Sequence, residues 1–129
     1  MMGYYKPCRE LNECNRLIDV YFNNGFYKEC FEGHMQLAEK GYPLAECQIG
    51  YFYLNGLGCD KDLKAAFKWT SQAALHGDRD AQYNLAEFYL NGIGTNKDMK
   101  KAEEWLVAAA AQNQKEAIVS LEQFKHQVE

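Results

Sequence analysis

The sequence is poor in proline, with two in 129 residues, and it has no apolar run near the roughly 20 residues of a membrane span. No basic segment leads into an apolar one, so no secretory leader and no membrane partner are expected. Positive charge is also short. Fourteen Lys and Arg face 18 Asp and Glu, a net charge of −4. Nucleic-acid affinity rests on neutralising phosphates, and it needs a basic excess or stripe. The densest basic pair, Lys100-Lys101, is followed by Glu103-Glu104, the pattern of a solvated helix face. No nucleic-acid partner is therefore expected.

Catalytic and metal-binding patterns are missing too. Cys8, Cys14, Cys30, Cys47 and Cys59 include no CxxC, which removes thioredoxin-type and common zinc-ribbon spacings. Five is odd, and reduced thiols in a cytoplasmic protein are the expectation. His34, His76 and His126 are scattered, with no HExxH, so neither metal nor cofactor is expected. Cys59 and His76 stand at opposite ends of a predicted helix about 20 Å long, too far apart for shared chemistry. Asp60 and Asp62 flank Lys61 in a loop, where solvated capping accounts for them. The triplets Gly56 to Gly58 and Gly92 to Gly94 lack the third glycine of a dinucleotide loop and the GK[ST] of a P-loop. No nucleophile, acid and base converge, so the chain reads as non-enzymatic, with no small-molecule substrate.

What is present is ordinary globular composition, 47% hydrophobic and 25% charged, with ten glycines arranged in a repeat. Ala45, Ala81 and Ala117 fall 36 residues apart, as do Gly56 and Gly92, Gly58 and Gly94, and Trp69 and Trp105. Residues 45–80 laid over 81–116 give fourteen identities in 36 positions without a gap. The string Phe-Tyr-Leu-Asn-Gly occurs in both, at Phe52 to Gly56 and Phe88 to Gly92.

Each unit reads as two helices. Ala45, Ile49, Phe52 and Tyr53 have helical spacing and predict a helix from Leu44 to Asn55, stopped at Asn55-Gly56. Asp62 is the predicted N-cap of a second helix reaching His76, with Leu63, Ala66, Trp69, Ala73 and Ala74 on one side. Gly77 ends it, and Asn113 takes that place in the next unit. The small Ala66, Ala73 and Ala74 admit a close neighbour, and Trp69 fills the gap beside them. Such a unit buries its apolar face only by stacking on others.

Residues 10–43 read as a divergent unit with an inter-helix loop about five residues shorter. Its first helix is predicted to end at Asn24-Gly25 and its second at Gly41. Residues 44–80 and 81–116 are the clear units, and 117–129 a capping helix. On that last helix Ile118, Leu121, Phe124 and Val128 are predicted to face one way.

The positions Ala45, Ile49, Gly50, Tyr53, Gly56, Gly58, Asp62, Ala66, Trp69, Ala73, Ala74 and Gly77 resemble the Sel-one-like repeat, a tetratricopeptide variant with a longer inter-helix loop. Ala81, Leu85, Tyr89, Gly92, Gly94, Asp98, Lys101, Ala102, Trp105, Ala109 and Ala110 carry it in the second unit. Ala65, Gln72 and Ala86 depart from its usual residues. The resemblance implies an all-α, right-handed superhelical solenoid of antiparallel helix pairs. It also implies a protein-binding adaptor whose concave surface is lined by first helices. Some secreted bacterial members staple each repeat with a disulfide. Here Cys47 aligns with Tyr83 and Cys59 with Thr95, so that arrangement is absent.

Carrying over the tetratricopeptide groove positions gives a candidate stripe. It comprises Arg16, Val20, Asn23 and Asn24, then Cys47, Tyr51, Leu54 and Asn55. It continues through Tyr83, Glu87, Leu90 and Asn91 to Val119 and Gln123. Tyr51 and Tyr83 are the expected anchors. Asn24, Asn55 and Asn91 either bond a peptide backbone or simply end their helices, and both readings stand at this point. The expected function is a non-catalytic module that binds a partner peptide or helix on this stripe. The alternative is a dedicated inhibitor or immunity protein that blocks one enzyme or toxin.

Overall fold

The computed structural model describes the backbone of residues 8–128 and the side chains of residues 12–126. It holds α1 (Cys8–Val20), a 3-10 turn (Phe22–Asn24), α2 (Tyr27–Glu39), α3 (Pro43–Asn55), α4 (Leu63–Leu75), α5 (Arg79–Asn91), α6 (Met99–Ala111) and α7 (Lys115–Val128). The described residues contain no strand. Each helix packs on its neighbours in sequence, and α1 also touches α3. The chain is a solenoid of helix pairs.

Local chemistry sets the helix boundaries. The carboxylates of Asp62 and Asp98 accept the backbone N–H of Ala65 and Lys101, each at 3.0 Å. These bonds satisfy donors that a helix start leaves open. Asp78 does the same for Ala81 at 2.8 Å, and the Gln114 side chain for Ala117 at 2.6 Å. Asp62 is the N-cap of α4, as expected, and His76, expected within the helix, is its C-cap. In the divergent unit α1 stops at Val20, earlier than expected. The interval to Gly25 is a tight 3-10 turn, which brings the chain into the short loop before α2. Asn113 takes φ 62°, the conformation Gly77 takes at φ 100° one unit earlier, so Asn does substitute for Gly at that stop.

The core is a string of clusters. Cys14, Leu17, Cys30, Ala38, Ala45, Ile49 and Phe52 form the first. Cys47, Ala73, Ala74, Ala81 and Leu85 form the second, and Ala86, Leu106, Ala109, Ala117 and Phe124 the third. Trp105 packs on both the second and the third, and so joins two units. The buried alanines are what let the helices approach this closely.

The second glycine of each GxG triplet has a packing role. A Cβ on Gly58 would fall on the carbonyl of Tyr27, the first residue of α2, and a Cβ on Gly94 on that of Leu63, the first residue of α4. Each long loop therefore rests, backbone to backbone, on the second helix of the preceding unit.

On α7, Phe124 is buried and Leu121 half-buried, as the expected face requires. Ile118 is 42% exposed instead. It stands at the register of Glu46 and Gln82, whose side chains bond to the C-cap residue of the second helix of their own unit. No such helix lies beside α7 among the described residues. The side chain of Val128 lies outside them.

Candidate interaction surface

The candidate stripe lies on α1 and the 3-10 turn after it, on α3 and α5, and on α7. Most of it is open. Val20 is 46% exposed, Tyr51 47% and Val119 58%, and Arg16, Asn24, Asn55, Asn91 and Gln123 are also exposed. Tyr83, Glu87, Leu54 and Leu90 are half-buried. Leu90 packs on the third core cluster, so part of its surface serves the fold. Cys47 is the most buried member, at 9% exposure.

The structure brings part of the stripe into one polar chain. The Tyr83 hydroxyl lies close to the Glu87 carboxylate and the Ser120 hydroxyl. Asn91 Nδ2 donates to the same carboxylate at 3.3 Å. A cleft of about 320 Å³ lined by Tyr83, Lys115, Glu116, Val119 and Ser120 lies between α5 and α7. Burial, with Glu87 next, pushes the Tyr83 hydroxyl above its ordinary value, so it stays a neutral donor. One unit earlier, Asn84 Nδ2 points at Cys47 Sγ at 4.0 Å. Both contacts join a first-helix residue to the first helix of the next unit, 37 positions on. Ser120 and Asn84 are absent from the sequence-derived stripe. Their signal was a polar side chain at the same register in three helices: Gln48, Asn84 and Ser120.

The three Asn-Gly positions behave alike. Asn24 Nδ2 donates to the Val20 carbonyl at 2.9 Å, Asn55 to Tyr51 and Asn91 to Glu87, both at 3.0 Å. Each bond closes the last turn of its helix from the side chain. The helix-ending role is thus present in all three, and each amide oxygen is left as an acceptor. Arg16 is held 3.4 Å from Glu13. Asn23 reaches Asp19 at 3.5 Å.

Three of the thiols are held in the protonated form. Burial pushes Cys30 up to about 11. Burial, then Asp78 and Asp80, pushes Cys47 well above the ordinary thiol range. Burial, then Asp60 and Asp62, raises Cys59. A protonated thiol is a weak nucleophile. Cys14 is buried, and the side chain of Cys8 lies outside the described residues. Among the described residues, no three His, Cys, Asp or Glu side chains gather into a metal site.

The Sel1 repeat model matches residues 43–78 and 79–114. The chain belongs to the Sel1 repeat family. It is similar to a Sel1 repeat protein from Oxalobacter formigenes, with 38% identity, 74% of this chain and 71% of that one covered, and a TM-score of 0.72. Helicobacter pylori cysteine rich protein B matches with a TM-score of 0.75 at 26% identity, covering 89% of this chain and 86% of that one. The chitin synthase regulator SKT5 of Saccharomyces cerevisiae is 40% identical over 51 residues, 40% of this chain. The chain spans 7% of the length of that curated relative. Sel1 repeat proteins are generally protein-interaction modules and typically non-catalytic scaffolds. No helix among the described Sel1 residues is long and apolar enough to cross a membrane.

Proposed function

We propose that this chain is a non-catalytic adaptor that binds a peptide or helix of a partner protein along the first-helix stripe. The cluster of Tyr83, Glu87 and Asn91 on α5, with Ser120 across the cleft on α7, carries this reading. It gives the stripe oriented donors and acceptors beside an aromatic ring, and Tyr51 offers a second ring one unit away. A few such anchors set affinity more than total area does. Glu87 and Glu116 beside Tyr83, with Asp80 nearby, favour a partner segment that carries positive charge.

The test begins with the tagged protein purified from its own cells and the identification of what co-elutes. Tyr51→Ala with Tyr83→Ala is expected to weaken capture at least about 30-fold, roughly 2 kcal/mol, with helical content retained. Unchanged capture by that folded variant sinks the stripe reading. A blocking role against one basic enzyme or toxin is the second reading, and the same carboxylates favour it. Its association rate should fall steeply with salt, and salt-independent association counts against it.

A further inference from the structure

We infer that Asn24, Asn55 and Asn91 are spontaneous deamidation sites held in check by the fold, and that Asn24 is the first to convert. Among the nine asparagines, these three alone precede glycine. Glycine has no side chain to shield its backbone nitrogen. Once deprotonated, that nitrogen attacks Cγ of the preceding Asn, a C–N bond forms, and the side-chain nitrogen leaves as ammonia. Water then opens the resulting succinimide to aspartate or isoaspartate. The net change is one amide hydrolysed and one negative charge gained.

The native helix ends oppose this step in two ways. The attacking nitrogen is engaged, since the N–H of Gly25 donates to Phe22, that of Gly56 to Phe52 and that of Gly92 to Phe88. The amide under attack is engaged as well, through its bond to the Val20, Tyr51 or Glu87 carbonyl. Asn55 and Asn91 are also the last residues of α3 and α5. Helical ψ near −42° holds the glycine nitrogen away from Cγ, so the turn must open before attack.

The three sites differ in how much must open. Asn24 belongs to a single 3-10 turn, and Gly25 has nothing within 4 Å of its Cβ position. The Cβ positions of Gly56 and Gly92 lie 3.3 and 3.2 Å from Lys61 and Lys97, where the long loop folds back. The short loop of the divergent unit gives Asn24 no such backing.

Conversion has a consequence for the surface. It replaces a donor aimed at a helix-end carbonyl with a carboxylate at the negative end of the helix dipole. All three sites lie on the stripe, so each event adds negative charge there. The chemistry itself does not depend on the stripe binding a partner.

The full chain, native and urea-unfolded, is held in mildly alkaline buffer and sampled by peptide mass mapping. The unfolded chain is expected to convert all three sites at similar rates. In the native protein Asn55 and Asn91 should convert at least about tenfold more slowly than when unfolded, because local opening limits them. Asn24 should lead. Native rates at Asn55 and Asn91 equal to the unfolded ones would overturn the protection. Conversion of Asn55 or Asn91 ahead of Asn24 would overturn the ranking.

Discussion

Single residues carry more of this fold than their size suggests. Gly58 and Gly94 sit at φ 69° and 68°, and any side chain there meets the backbone of the preceding unit. Gly58→Ala combines a disfavoured left-handed φ with a backbone clash, and should cost at least about 2 kcal/mol in a urea melt. His34 has the opposite character, being completely buried. Its Nδ1 donates to the Cys30 carbonyl at 3.0 Å, and Nε2 has no partner. Burial lowers its basicity in the folded state. Above the unfolded histidine value of about 6.5 this lowered basicity makes no difference to stability. Below that, the unfolded chain takes up a proton that the core refuses, and stability falls by up to about 1.4 kcal/mol per pH unit. The decline continues until pH reaches the lowered folded value. His34→Gln should flatten this limb when urea midpoints are compared across mildly acidic pH. The GxG triplets read from sequence as turns, and that is right as far as it goes. Their contact with Tyr27 and Leu63 was not readable, because it joins residues about 30 positions apart in different units.

At the scale of helices, one contact is built twice from different chemistry. Glu46 and His76 tie α3 to α4 through a 2.7 Å bond between Oε1 and Nδ1. Thirty-six residues on, Gln82 and Gln112 tie α5 to α6 at 2.9 Å. The Glu46 side chain is 2% exposed and that of His76 49%. His76→Ala leaves a buried carboxylate without its partner. The cost should be about 1–2 kcal/mol, less than for a fully buried pair, because water reaches the His76 side. Glu46→Gln with His76→Gln copies the second unit's pair and should restore most of that loss. A double-mutant cycle on thermal midpoints checks it. Asp62, Asp98 and Asn113 were legible in the sequence because a cap or stop acts within three or four residues. Such local rules are the ones a single sequence displays. The pairing of Glu46 with His76 was not legible, although the shared 36-residue register, applied to polar positions, points to Glu46 with Gln82 and His76 with Gln112.

At the scale of the whole molecule, the spacing of Ala45, Ala81 and Ala117 already implied a stack of units, and the string of three core clusters is that stack. The stripe was legible as a set of register positions. Its burial was not, since Cys47 and Tyr83 share one register yet differ in exposure. The bulk of Tyr83 carries its hydroxyl out to Ser120, whereas the short Cys47 stays among Ala73, Ala74 and Leu85. Tyr51→Glu, which writes the second unit's residue into the first, should change the stability read from a urea melt by less than about 0.5 kcal/mol, because the position is half-exposed. The same substitution is expected to change which peptides the chain captures in a binding screen.

The loops that rest on the preceding helix have a consequence for how such a protein changes over generations. Backbone meets backbone between units at Gly58 and Gly94, away from the first-helix stripe. Much of the recognition surface therefore lies apart from the contacts that seat the loops. The glycines fix where each loop meets the preceding helix, while the exposed stripe positions make no such contact, and the chain carries two versions of one of them, Tyr51 in one unit and Glu87 in the next.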